Sequence, residues 1–255
     1  MGVTIGGEGR YLYGIIESAK RIGFGPIGVP GGDPLVYTVH QRDLGACVSN
    51  HPADITIKAD AEHCLAHERV LETIMQRFTI LPFEFGTVAP TEADVVKLLS
   101  RYRNRIKLTL RRLHGRVEVG VKAFWKSFEM AAQEVVKEHA SIAHYRREIA
   151  AKPPEGTYQD RIRIGQMVAT ALDEKRKREA SGLVRALKQV AVDVSQGATL
   201  GDTMVFNAAF LIRKADFPKF ERALQTLGKR QNGRLDFKYA GPLPPCSFTG
   251  MVMEV

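Results

Sequence analysis

The segment 117–125 (VEVGVKAFW) constrains the fold of this chain more than any other stretch. Val117, Val119, Val121, Ala123 and Trp125 alternate with Glu118, Gly120, Lys122 and Phe124, the period of two expected of a strand with one face on a core. Upstream the period lengthens. Leu71, Ile74, Met75 and Phe78 recur at helical spacing within 61–78. After a capping pair, Thr91 and Asp94, the residues Val95, Leu98, Leu99, Tyr102, Ile106, Leu110 and Leu113 form one stripe, which predicts a single long second helix. Tyr11–Ile16, Leu35–His40 and Leu44–Ser49 have strand character, the last two joined by the short link Gln41-Arg42-Asp43, with Ile55 and Ile57 in a further extended piece. The stretch 23–34 (GFGPIGVPGGDP) suits neither a helix interior nor a central strand. This order predicts an α+β domain whose helices cover one face of a mainly antiparallel sheet.

Beyond Trp125 the pattern turns to long helices, at 126–150 and 158–192, interrupted at Lys152-Pro153-Pro154-Glu155-Gly156. In the second, Leu183, Val184, Leu187, Val190 and Ala191 make an apolar face, and 173–179 (DEKRKRE) reads as a charged band in water. Then 204–212 (MVFNAAFLI) reads as a central strand, 217–227 as a helix, and Leu235, Phe237 and Tyr239 as the inward side of a last strand. The stretch 241–248 (GPLPPCSF) carries too many prolines for a helix and should be extended or turning. Two domains are expected, 1–125 and 126–255.

No apolar run approaches the roughly 20 residues that span a bilayer, and the N-terminus lacks a signal-peptide pattern, so a cytoplasmic location is expected. Cys47, Cys64 and Cys246 are far apart and never in a CxxC arrangement, which points to neither a disulfide framework nor a structural zinc site. The formal charge of +9 favours acidic partners without identifying them.

Individual motifs are weak. Gly23-Phe24-Gly25-Pro26-Ile27-Gly28 has the GxGxxG spacing, but Pro30, Gly31, Gly32 and Pro34 follow where the phosphate-binding helix should begin. His63 and His67 share a helix face near Glu68 and Glu72, yet the zinc-protease spacing is missing. A small-ligand or metal-dependent enzyme using the 23–28 loop or the histidine pair is the alternative reading; the leading one has no cofactor, metal or catalytic residue. Arg101, Arg103, Arg105, Lys107, Arg111, Arg112 and Arg116 form the densest basic run. Tyr102, Ile106 and Leu110 take the opposite side of that helix, so the run reads as a solvated face, with docking to an acidic protein as the alternative. No aromatic pair set among basic residues on a strand provides a base-stacking platform, so nucleic acid is not expected as a partner.

Taken together, 11–16 (YLYGII), 67–72 (HERVLE), 80–88 (ILPFEFGTV), 113–125 (LHGRVEVGVKAFW), 207–212 (NAAFLI) and 241–248 (GPLPPCSF) resemble the gas vesicle GvpF/GvpL family, in the family's order and over almost the whole chain. Glu84 and Cys246 depart from the pattern, which has a basic and an aromatic residue there. The resemblance implies a non-enzymatic accessory protein of gas vesicles that binds the small hydrophobic shell protein and other accessory proteins, and does not bind a lipid membrane. The resemblance further implies a protein that limits shell-protein aggregation, assists nucleation and is retained as a minor structural component. The implied fold has an N-terminal modified ferredoxin-like sheet with two helices, followed by a C-terminal α+β domain with long helices and a small ferredoxin-like sheet. On resemblance and exposure, the expected partner contacts are Leu81, Phe83 and Phe85 in 80–88 and Leu243, Pro244 and Phe248 in the tail, with Arg103, Lys107 and Arg111 on the basic face.

Overall fold

The computed structural model describes residues 8–52, 57–250 and Met253. Ile55 lies outside them, and Ile57 belongs to no strand. The described residues up to Glu118, with those from Pro242 onward, form one compact unit; Val119–Gly241 form the other.

In the first unit the chain runs β1 (Glu8–Glu17), β2 (Gly23–Pro26), β3 (Leu35–Gln41), β4 (Leu44–Pro52), α1 (Ala61–Met75), β5 (Ile80–Pro82), β6 (Val88–Ala89), α2 (Glu92–Arg101) and α3 (Arg103–Leu113). The sheet order is β2-β3-β4-β1-β5, with β6 also paired to β1. If β1, β3, β4 and β5 are numbered one to four, the order becomes 4-1-3-2, that of a ferredoxin-like βαββαβ unit. The modification lies between β1 and β3. The glycines and prolines of 23–34 cannot sustain the usual crossover helix, and the chain makes the short edge strand β2 there instead.

β1 is buried on both faces. A bulge at Tyr13 shifts its register, so that Tyr11, Tyr13 and Ile16 join Val70, Leu71 and Ile74 of α1 in one core. Leu12 and Ile15 face the other way and are fully buried too. Arg10, on their face, reaches Glu92 at the start of α2 at 3.4 Å. Helices therefore cover both faces of the sheet, not one, as a strand apolar on both sides requires. Gly14 lets β5 come close, because a Cβ there would lie 2.7 Å from Ile80 and 2.9 Å from the Leu81 carbonyl.

The expected single helix over 92–113 breaks at Tyr102 (φ −99°, ψ 8°), giving α2 and α3. The apolar stripe runs straight through the break, so periodicity alone could not reveal it. The start of α2 is as expected: the Thr91 hydroxyl accepts from the Asp94 amide at 3.2 Å and donates to its carboxylate at 2.7 Å.

The second unit contains β7 (Arg116–Trp125), α4 (Phe128–Glu138), α5 (Ala140–Ala150), α6 (Tyr158–Lys188), β8 (Asp193–Gln196), β9 (Met204–Arg213), α7 (Phe217–Arg230) and β10 (Leu235–Leu243). The chain enters it within β7 and leaves within β10. Its sheet order, β10-β7-β9-β8, is again 4-1-3-2, with α4–α6 as the first crossover and α7 as the second. The α+β class thus holds in both units. The compact units differ from a division at residue 125, because 116–125 pairs in the second sheet and the tail returns to the first unit. As expected, β9 is central and buried on both faces, around Phe206 and Phe210. The helix expected over 126–150 breaks at His139, whose φ of −112° and ψ of 98° are extended. Tyr239, expected inward, is exposed and donates to Glu221 at 2.9 Å. Among the described residues no helix is long and apolar enough to cross a membrane.

Candidate functional site

Three stretches distant in sequence converge on His67 in the first unit. The imidazole is buried, stacked on Tyr13 and edge-on to Tyr11 and Phe85, with ring centroids 5.6, 5.6 and 5.8 Å away respectively. The Tyr11 hydroxyl lies 2.8 Å from Nδ1 and accepts from the Gly86 amide at 3.1 Å. The Phe83 backbone also hydrogen-bonds the imidazole. Because the Tyr11 oxygen already accepts from Gly86, its own proton is available to Nδ1 of a neutral imidazole. Helix α1 is thereby tied to β1 and to 83–86.

Burial lowers the His67 pKa from 6.5 to about 4, against the pull of the Phe83 backbone hydrogen bond. The facing groups, Tyr11 and Tyr13, are themselves raised by burial, so no charge compensates a proton placed there. The unfolded chain accepts this proton at a higher pH than the folded one. The histidine's contribution is therefore complete above about pH 6.5 and falls away as pH drops towards about 4, by up to ~3 kcal/mol. Urea unfolding at pH 7 and pH 4.5 should show a steeper acid loss in the parent than in His67→Gln, which keeps a donor and an acceptor; equal losses would refute the assignment.

The expected alternatives at these motifs do not assemble. His63 turns to Asp60 at the start of α1, at 2.7 Å, while His67 faces the tyrosines. Among the described residues no three His, Cys, Asp or Glu side chains gather as a metal site would need. No helix follows 23–28; Pro26 ends the edge strand β2, and Gly25 sits at φ +85°.

The two segments expected to contact a partner lie together. Pro82, Phe83, Glu84 and Thr87 line a cavity of about 160 Å³ with Cys246 and Thr249 from the tail, so Glu84 and Cys246 border one opening. The tail is anchored beside Glu118, whose carboxylate accepts from the Ser247 amide and hydroxyl, each at 2.8 Å. Leu81, Phe83, Pro244 and Phe248 are buried, whereas Phe85 and Leu243 are half-buried. The four buried side chains are enclosed in this structure, and the accessible ones are Phe85 and Leu243.

The basic run is likewise not a uniform solvated face. Arg103 meets Asp43 at 2.6 Å, and Lys107 bridges Asp43 at 2.6 Å and Glu17 at 3.0 Å. These hydrogen bonds hold the Asp43 carboxyl well below the usual range. Arg111 remains exposed.

In the second unit, 173–179 departs from a charged band in water. Lys175 is buried, with Nζ 2.7 Å from Glu138, 3.1 Å from Glu134 and 3.6 Å from Glu179. Arg234 grips Glu134 through two hydrogen bonds of 3.0 and 2.7 Å and reaches Glu179 at 2.7 Å. The Trp125 indole donates to Glu179 at 2.8 Å. This network clasps α4 to α6.

The same helices leave an open groove of about 610 Å³ that sequence reasoning missed. Phe128, Ala132 and Val136 of α4, Ile149 of α5, and Ile164 and Val168 of α6 supply most of its apolar wall. The signal was present as an i, i+4, i+8 spacing at 128, 132 and 136 and a stripe at 164, 168 and 172. A second apolar face on a helix that already has one is easily taken for core.

Comparison with known proteins agrees over the whole chain. A family model described as gas vesicle synthesis protein GvpL/GvpF matches residues 9–250. Gas vesicle protein F of Streptomyces sp. (strain CB03234) is 29% identical, over 93% of this chain and 98% of that protein. Gas vesicle protein F of Microcystis aeruginosa (strain PCC 7806) is 28% identical, over 96% and 99%. The crystal structure of GvpF from Anabaena sp. PCC7120 superposes with a TM-score of 0.82 at 26% identity, covering 96% of this chain and 99% of that one. With a family model matched over residues 9–250 and a crystal structure superposed over nearly the full length of both chains, the chain belongs to the GvpL/GvpF family of gas vesicle synthesis proteins.

Proposed function

We propose that this protein is a non-catalytic assembly factor that binds the small hydrophobic shell protein of gas vesicles, limits its aggregation and assists vesicle nucleation together with other accessory proteins. The observation that carries this reading is an open apolar groove on a chain of a gas vesicle synthesis family. Shell subunits with exposed apolar faces associate before a vesicle exists, because each Å² of apolar surface removed from water stabilises by roughly 25 cal/mol. A protein that covers such a face lowers the concentration of free subunit, and it must release the subunit again, so a modest interface suits the task better than an obligate one. In the first unit, Phe85, Leu243 and Arg111 keep accessible side chains and are proposed as a secondary contact.

Co-expression with the shell protein tests this. The shell protein should remain in the supernatant when this chain is present and sediment when it is absent. Sedimentation to the same extent in both cases would refute the proposal.

A further inference from the structure

The groove in the second unit has walls made of side chains on α4, α5 and α6, with no sheet edge offering unpaired backbone groups. An occupant must therefore satisfy its own backbone hydrogen bonds, which favours a helix over an extended peptide. The small residues of the lining favour a helix too. Ala132, Gly165 and Ala169 are small, and a Cβ built on Gly165 meets nothing within 4 Å, so a helix axis can approach closely. Leu172 in the lining is buried, while Phe128 is partly exposed.

Charge narrows the partner. Arg146 and Arg161 are the charged residues that line the groove, both are exposed, and neither side chain has a hydrogen bond or ion pair among the described residues. Arg176, Arg178 and Arg234 of this unit are matched to carboxylates, whereas Arg185, Arg222 and Arg230 are not among the described residues; what sets Arg146 and Arg161 apart is their place in the lining of an apolar groove. Two unmatched guanidinium groups beside an apolar trough complement an apolar helix face flanked by carboxylates. A second copy of this chain fits poorly, since a molecule of formal charge +9 would bring further positive charge to a positive rim.

We propose that the α4–α5–α6 groove seats one amphipathic helix of a partner protein, apolar on the face it buries and carrying carboxylates where it passes Arg146 and Arg161. This rests on the assembly-factor reading only for which protein supplies the helix.

The test uses the purified full-length chain and a labelled synthetic helical peptide with Leu and Ala on one face and Glu along both flanks. Its controls are a Lys-for-Glu counterpart and a proline-interrupted one, all followed by fluorescence anisotropy. The Glu peptide should bind and the two controls should not. Gly165→Leu, which fills the trough from a position with no neighbours, should keep the parent's melting temperature and weaken binding about tenfold or more. The double variant Arg146→Glu with Arg161→Glu alters only the surface and should exchange the preference, favouring the Lys peptide. Equal binding of the Glu and Lys peptides, no binding of either, or binding insensitive to Gly165→Leu would overturn the proposal. So would a concentration-dependent dimer of the parent that Gly165→Leu dissociates, which would make a second copy the occupant. A Glu peptide that binds while the shell protein still sediments would leave this site standing and remove the shell protein as its client. A soluble shell protein with no peptide binding would do the reverse.

Discussion

Replacing Lys175 with methionine is expected to cost the folded protein about 1–3 kcal/mol, because removing the buried ammonium leaves three partly solvated carboxylates to repel one another. The methionine fills nearly the same volume, so the loss reports charge rather than a cavity. Without the ammonium, Glu134, Glu138 and Glu179 crowd one another, and only Arg234 and Arg178 remain to balance them. Burial works against ionisation of Glu134, yet hydrogen bonds from Arg234 and Lys175 hold its pKa below the ordinary 4.5; Glu138 is held down mainly by Lys175. Stability from these depressed carboxyls is present above the unfolded carboxylate range and is lost as pH falls through their folded values. The difference between parent and variant should therefore be full at pH 7 and narrow below about pH 4. Urea unfolding of both proteins measures it. A difference at pH 7 under about 1 kcal/mol, the range of an exposed pair, would show that the cluster is solvated after all.

Phe83→Ala should destabilise by about 3–5 kcal/mol, the usual effect of deleting a buried aromatic side chain. Phe83 is 7% exposed, and its amide donates to the Tyr13 carbonyl at 2.9 Å. Truncation would leave a cavity beside the His67 network and loosen the segment whose Gly86 amide meets Tyr11. Phe85→Ala should cost less, since that ring is half-buried. The comparison separates packing from recognition. If Phe83→Ala unfolds at the parent's urea midpoint, the residue is not core and regains its place as a candidate contact. If only Phe85→Ala retains the fold while losing a partner, the accessible ring is the one that recognises it.

Much of the fold was legible because burial writes a period into a chain. Alternation at 117–125, double-sided apolarity at 204–212 and helical spacing at 61–78 each found its element. Proline and glycine in 23–34 ruled out a crossover helix, and the chain obeyed with an edge strand. The breaks at Tyr102 and His139 were not legible: the first interrupts a stripe without changing its spacing, and no proline or glycine marks the second. The bulge at Tyr13 was hidden for a similar reason: one extra residue moves Ile16 rather than Ile15 into the α1 core, and either is apolar.

The candidate site divided in the same way. Membership in a gas vesicle family could be read from the order of short motifs, because those residues serve local needs that a linear pattern records. Which of them remain available to a partner could not. Leu81, Phe83, Pro244 and Phe248 look like docking residues in sequence and are enclosed by their own unit. Lys175 looks like a solvated charge and is sealed among glutamates that lie 37 and 41 residues earlier or one helical turn later in the chain. The sequence by itself determined element types and the α+β class, since these follow from propensity and period. Tertiary structure alone decided which apolar faces meet each other and which are left open, because burial depends on neighbours distant in the chain.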